Sequence, residues 1–107
     1  MTLSTMTESD LLAGVLDLCR TLGWRTLHVR PARTAHGWRT PIQGDGAGWP
    51  DLFAVRRECI VAAELKVGRG KLSDDQDRWL DDLAAAGVDV HVWRETDYPD
   101  AIAEMLR

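Results

Sequence analysis

Residues 48–66 decide the fold, and they read GWPDLFAVRRECIVAAELK. Two apolar runs, at 52–55 and 59–66, flank Arg-Arg-Glu, a pattern that predicts two strands joined by a turn. One acid, Asp51, opens the first strand, and a second acid, Glu64, follows the apolar part of the second strand. A charged group at the edge of an apolar core is costly unless something pairs with it, and a metal ion would.

Strand alternation places Glu64 and Lys66 on the same face, and pairing of the two strands brings Asp51 within reach of Glu64. Carboxylate oxygens suit Mg²⁺ or Mn²⁺ far better than zinc. A metal there could polarise a phosphoryl oxygen, while the lysine could orient a water or neutralise phosphate charge. Glu8 shares a helical stripe with apolar residues, so it lies at the rim of the buried face as a third carboxylate.

The remaining pattern predicts an α/β chain in the order α-β-β-β-α-β-α. Helical spacing covers residues 5–22 and ends at Gly23, and alternation at 24–30 predicts a strand. Residues 31–49 are expected to form a long loop, and loops beyond about 12–15 residues usually have a function. Ser73 and Gln76 form a capping box that opens the second helix, followed by a strand at 88–93 and a helix at 98–106.

Length and charge bound the class of protein. The 107 residues suffice for one domain, 1–107, and the net charge is −4. Residues 20–71 carry ten Lys/Arg against four Asp/Glu, net +6, and residues 72–107 carry three against ten, net −7. The asymmetry favours an anionic ligand, although a basic face balanced by an acidic helix gives the same counts.

The composition and hydropathy of the chain predict a cytoplasmic protein with no membrane segment. No run approaches the roughly 18 apolar residues of a membrane span, and the first residues lack the pattern of a signal peptide. Cys19 and Cys59 fall within apolar patterns and are expected to be buried free thiols.

The spacing of Pro50-Asp51 and Glu64-Leu65-Lys66 resembles the PD-(D/E)xK nuclease motif, and the element order is similar to that superfamily's restriction-endonuclease-like core. The closer resemblance is to the VRR-NUC family, through Gly48-x-Pro50-Asp51-Leu52 and, after the second acid, Gly70-Lys71-Leu72-Ser73-x-x-Gln76. The resemblance extends over nearly the whole chain, and it implies the cytoplasm of a bacterium or of a phage-infected host. The resemblance implies a mixed central sheet flanked by helices and a DNA nuclease that uses Mg²⁺ or Mn²⁺ and no small-molecule cofactor.

Residue by residue, the resemblance implies that Glu8, Asp51, Glu64 and the Leu65 carbonyl bind the metal. Lys66 would be the catalytic lysine, and Gln76 the motif glutamine near the site. The expected substrate is DNA, in particular branched or Holliday-junction DNA. Candidates to bind its backbone are the basic residues Arg30, Arg33, Arg56, Arg69 and Lys71.

Each of these features has a simpler interpretation. Asp51 could cap a turn after the proline, Gln76 could serve only the capping box, and Glu8 could be the partner of a Thr5 cap. The whole chain could be a catalytically inactive DNA-binding module or a plain interaction protein. Symmetric cutting of two strands predicts a homodimer, against the alternative of a monomer. The apolar side chains that could support its contact are those of Trp38, Trp49, Ile102, Met105 and Leu106.

Overall fold

The computed structural model describes residues 6–29, 32–34, 37–39 and 43–107, and of residues 32–34 and 37–39 it describes the backbone alone. Three α-helices and six strands follow one another along these residues. The helices are α1 (Glu8–Thr21), α2 (Asp74–Ala85) and α3 (Asp100–Leu106), with a short 3-10 turn at Glu95–Asp97. The strands are β1 (Arg25–Leu27), β2 (Ala32–Thr34), β3 (Gly37–Arg39), β4 (Leu52–Arg56), β5 (Cys59–Lys66) and β6 (Asp89–Arg94).

The main sheet has four strands in the order β1-β4-β5-β6. Its first two pairings are antiparallel, as expected for a short connection between β4 and β5. The pairing of β5 with β6 is parallel, and α2 makes the crossover that a parallel pair requires. The predicted mixed α/β sheet, compatible with a restriction-endonuclease-like core, is confirmed.

The closed face of the sheet, packed under α1 and α3, holds the apolar core. Its centre is formed by residues that alternate along the strands, such as Leu52, Ala63 and Trp93, none more than 1% exposed. Burying this face supplies most of the hydrophobic stabilisation. The other core residues come from α1, α3, the residue before β1, and the strands β4 and β5: Leu11, Val15, Cys19, Trp24, Ala54, Val61, Leu65, Ile102 and Leu106.

The open face of the sheet carries α2 and residues 43–49 over part of its area. Trp49 stacks on Phe53 with ring centroids 5.4 Å apart and meets Trp79 of α2 edge-on at 5.0 Å. Farther along the same face, Leu27 and Ile60 are 55% and 39% exposed. This face is therefore only partly covered, and its part near the turn between β4 and β5 remains accessible.

Three expectations about local structure are corrected. The stretch predicted as a long loop contains an antiparallel hairpin, in which β2 pairs with β3. The N-cap of α1 is Thr7, and its capping-box partner is Asp10, so Glu8 is not a capping partner. Cys59 is exposed rather than buried, because it lies at the outer end of β5, beside the turn.

The assignment of α3 to a dimer contact is also corrected. Ile102 and Leu106 are completely buried in the core, because α3 turns its apolar side chains toward the sheet. Met105 is 45% exposed, and the side chain of Trp38 lies outside the described part of the chain. Within the ranges given above, no helix has the length and apolar character that crossing a membrane would require.

Candidate active site

Asp51 and Glu64 lie opposite each other on neighbouring strands of the open face. Leu52 pairs with Ala63, and one further step in this register sets Asp51 against Glu64. Cross-strand neighbours point to the same side of the sheet, so the two carboxylates share one face. The Leu65 main-chain N–H donates to Asp51 Oδ2 at 2.8 Å, which orients that carboxylate.

Glu64 is a buried carboxyl group, only 1% exposed. Its Oε1 accepts a hydrogen bond from Gln76 Nε2 at 3.1 Å, while its Oε2 is buried and has no hydrogen-bond partner among the described residues. Burial raises the pKa of Glu64 to about 9, and the negative charges of Asp51 and Glu8 act in the same direction. The positive charge of Lys66 lowers the pKa of Glu64. Such an environment favours a cation at the site.

Gln76 makes two hydrogen bonds, one with each end of its side-chain amide. Its Oε1 accepts from the Ser73 main-chain N–H at 2.9 Å, completing the capping box of α2, and its Nε2 donates to Glu64. The helix cap and the site contact are therefore not alternatives. The cap holds the side chain in the orientation from which it reaches the glutamate.

Lys66, Glu8 and Gly70 come together at the end of β5. A Cβ added to Gly70 would lie 3.5 Å from Lys66 Cδ and 3.9 Å from Glu8 Oε2. The turn that allows this approach is tied down by Glu95, whose Oε2 accepts from the Gly68 N–H at 2.7 Å. The N-terminus of α1 thus brings a third carboxylate beside the lysine and near Glu64.

The VRR-NUC domain family model matches residues 14–96, more than half of the chain. The chain belongs to the VRR-NUC family. This membership assigns it a nuclease-type function in DNA processing. The matched range contains Asp51, Glu64, Lys66 and Gln76 and leaves out Glu8. No curated protein and no solved structure matches the chain.

The residues of this VRR-NUC site fit a hard divalent cation by their chemistry. The described ranges hold no group of three or more His, Cys, Asp or Glu side chains arranged closely enough to be a metal cluster. The site instead offers two facing carboxylates, one with a buried oxygen that has no partner in the described part of the chain, and Glu8 nearby. All of these are oxygen donors, the kind that Mg²⁺ and Mn²⁺ prefer.

The basic residues predicted to bind DNA fall into three groups. Arg69 and Lys71 are exposed on either side of Gly70, next to the VRR-NUC site. Arg56 is at the other end of β4, where its Nη1 donates to the Leu22 carbonyl at 3.0 Å and its guanidinium covers the Trp24 ring at 4.6 Å. The structure does not bring it to the site. The third group is Arg30 and the side chain of Arg33, which lie outside the described residues.

Two positioning residues were not assigned to the site from the sequence. His28 Nδ1 lies 2.6 Å from the Asp51 main-chain oxygen, and Glu95 holds the turn after Lys66. His28 lies in an alternating sequence pattern that does not reveal its partner. Glu95 is only 8% exposed, but no local pattern marks it as buried.

Proposed function

We propose that this chain is a divalent-metal-dependent endonuclease that cuts branched DNA, including Holliday junctions, in replication, recombination or repair. The observation that carries the proposal is the pair Asp51, directly before β4, and Glu64 on β5, two facing carboxylates of which Glu64 has a buried oxygen without a partner among the described residues. A structural carboxyl group in such a place would be expected to find a hydrogen-bond partner for each oxygen.

Asp51 and Glu64 would hold Mg²⁺ or Mn²⁺, with Glu8 and the Leu65 carbonyl as further ligands. When bound, the cation would stabilise negative charge on a phosphoryl oxygen and acidify the attacking water. Gln76 keeps the Glu64 carboxylate in place through its N–H donor, and the Leu65 N–H does the same for Asp51.

Lys66 supplies the positive charge of the chain at the reacting phosphate. It follows Glu64 on the same face of β5, and it lies at the turn that carries Arg69 and Lys71. In the proposed mechanism its ammonium group orients the attacking water and offsets charge that develops during in-line attack on phosphorus. The two exposed basic residues beside it bind the DNA backbone.

The proposed enzyme works as a homodimer, because symmetric cutting of a junction needs two sites related by a two-fold axis. Exposed apolar residues support a contact at the end of the sheet away from the site. They are Val55, Ile60 and Met105, which are 38%, 39% and 45% exposed. Sedimentation at micromolar protein is expected to show a dimer and to show a monomer for Ile60→Glu. A monomeric wild-type chain that cuts both strands in concert would contradict the dimer.

The experiment that tests the function is a cleavage assay on a supercoiled plasmid, which reports nicking, and on a four-way junction, with Mg²⁺ or with a chelator. We expect cutting only with metal, faster cutting of the junction, and loss of cutting in Asp51→Asn. Asp81→Asn, on the exposed side of α2, is the matched control and should retain full activity. Binding of both DNAs without any cutting would make the chain a DNA-binding module on a nuclease fold instead.

A further inference from the structure

A cavity of about 390 Å³ opens on the face of the sheet that carries the candidate site. Its walls are mostly apolar and aromatic, and none of its described wall residues is Lys or Arg. The volume lies in the range of pockets that hold small planar ligands. The principal wall residues are Leu27, Val29, Gln43, Asp45, Trp49 and Trp79.

The cavity lies directly beside the candidate metal ligands. Trp49 is two residues before Asp51, separated from it by the buried Pro50. On the other side, Val29 follows His28, whose ring lies 2.6 Å from the Asp51 main-chain oxygen. A group that enters the cavity is therefore next to the phosphate that the site would hold.

The aromatic walls are held in place without being buried. Trp79 Nε1 donates to the Asp45 carbonyl at 3.0 Å, and Gly48, with φ of +82°, packs so closely on α2 that an added Cβ would lie 2.5 Å from the Asp75 carbonyl carbon. These contacts fix residues 45–49 against the helix. Trp49 and Trp79 nevertheless stay half-buried, whereas Trp93 on the closed face is 1% exposed.

We propose that this cavity binds one unpaired nucleobase of the DNA, next to the scissile phosphate. A base has apolar faces that stack on indole rings and a polar edge, which Gln43 and Asp45 can meet with hydrogen-bond acceptors and donors. The absence of Lys and Arg from its described walls, and the carboxylate of Asp45, disfavour a phosphate in the same place. The base enters most easily where it is already unstacked, at a flap, a fork or a junction.

This inference rests on the proposed nuclease function and names the feature of branched DNA that the site selects. Its test uses a flapped duplex whose nucleotides on each side of the cut carry either a base or an abasic sugar. Binding is measured by fluorescence anisotropy without divalent metal, and cleavage is measured with Mg²⁺. For the wild type, loss of the base that enters the cavity is expected to weaken binding and slow cleavage about tenfold.

Three variants separate base stacking from a structural role of the tryptophan. Trp49→Leu is expected to bind the two substrates equally, and Trp49→Phe to restore the preference for the base. Phe53→Leu is the matched control, since Phe53 packs against Trp49 but does not line the cavity, and it should retain the preference. If Trp49→Leu fails to fold, as judged by circular dichroism, Leu27→Asn replaces it, because Leu27 is 55% exposed.

Equal binding of both substrates by the wild type would overturn the proposal, and so would an unchanged preference for the base in Trp49→Leu. Loss of self-association in Trp49→Leu, with the base preference retained, would assign the cavity to a second copy of the chain instead. A base-dependent affinity without cleavage in Mg²⁺ would reject the nuclease activity and support the cavity assignment. The two proposals thus fail by different measurements.

Discussion

The two faces of the main sheet differ in how they are covered. The closed face packs against α1 and α3 and is apolar throughout its centre, with Leu52 and Ala63 completely buried. The open face carries the carboxylates and the aromatic cavity under a partial cover of α2 and residues 43–49. The closed face stabilises the fold, whereas on the open face Glu64 is a buried carboxyl group whose charged form a bound cation would stabilise.

The largest effect expected from this contrast is the loss of cleavage in Glu64→Gln. The swap removes the charge and little volume, so activity should fall at least about 10³-fold while the fold is retained. Leu11→Ala, in the core under the closed face, should retain activity but lower the free energy of unfolding by about 2–5 kcal/mol. Cleavage assays measure the activity of each variant and urea unfolding measures its stability, with Glu104→Gln as an exposed control. Wild-type turnover in Glu64→Gln would refute the site.

Lys66→Ala is expected to slow cleavage about 10²- to 10³-fold and to leave metal binding intact, because an ammonium group is not a ligand. Calorimetric titration with Mn²⁺ checks the metal, and single-turnover kinetics checks the rate. Lys71→Ala, an exposed lysine on the same segment, is the control and should change mainly the affinity for DNA. A folded Lys66→Ala chain that no longer binds metal would show that the lysine holds the site together.

Substitutions at Gln76 separate the capping role from the site role. Gln76→Glu keeps an acceptor for the Ser73 N–H but replaces the donor to Glu64 with a like charge. We expect a loss of metal affinity or activity of about 10- to 100-fold, with the helix cap retained. Gln76→Ala removes both the cap contact and the contact with Glu64. It should therefore lose activity and also lower the free energy of unfolding by about 1 kcal/mol. Full activity in Gln76→Glu would show that Gln76 serves only as a helix-capping residue.

The last expected effect is on the pH dependence of stability without metal. The folded chain raises the pKa of Glu64 from its ordinary 4.5 to about 9 through burial and Asp51, so in that interval it binds more protons than the unfolded chain. The free energy of unfolding should therefore fall as the pH rises from about 4.5 to about 9. Glu64→Gln should show a flatter profile by thermal or urea unfolding. Identical profiles in the two chains would contradict the assignment.

The order of the elements, apart from the β2–β3 hairpin, and the meeting of Asp51, Glu64 and Lys66 follow from the sequence alone. Those inferences depend on short-range rules, since alternation sets the face of each side chain and a tight connection sets antiparallel pairing. The cap of α2 by Ser73 and Gln76 was predictable for the same reason, because its atoms lie within one turn of helix.

Only the tertiary structure decided which distant groups surround those residues. The contacts of Gln76 with Glu64, of His28 with Asp51, and of the turn after β5 with Glu95 join different elements. The position of Arg56 on Trp24 and the cavity beside Asp51 likewise depend on how helices and loops pack on the sheet. Periodicity specifies the face on which a side chain lies, but its partner depends on the relative placement of whole elements, which hydrophobic packing sets in three dimensions.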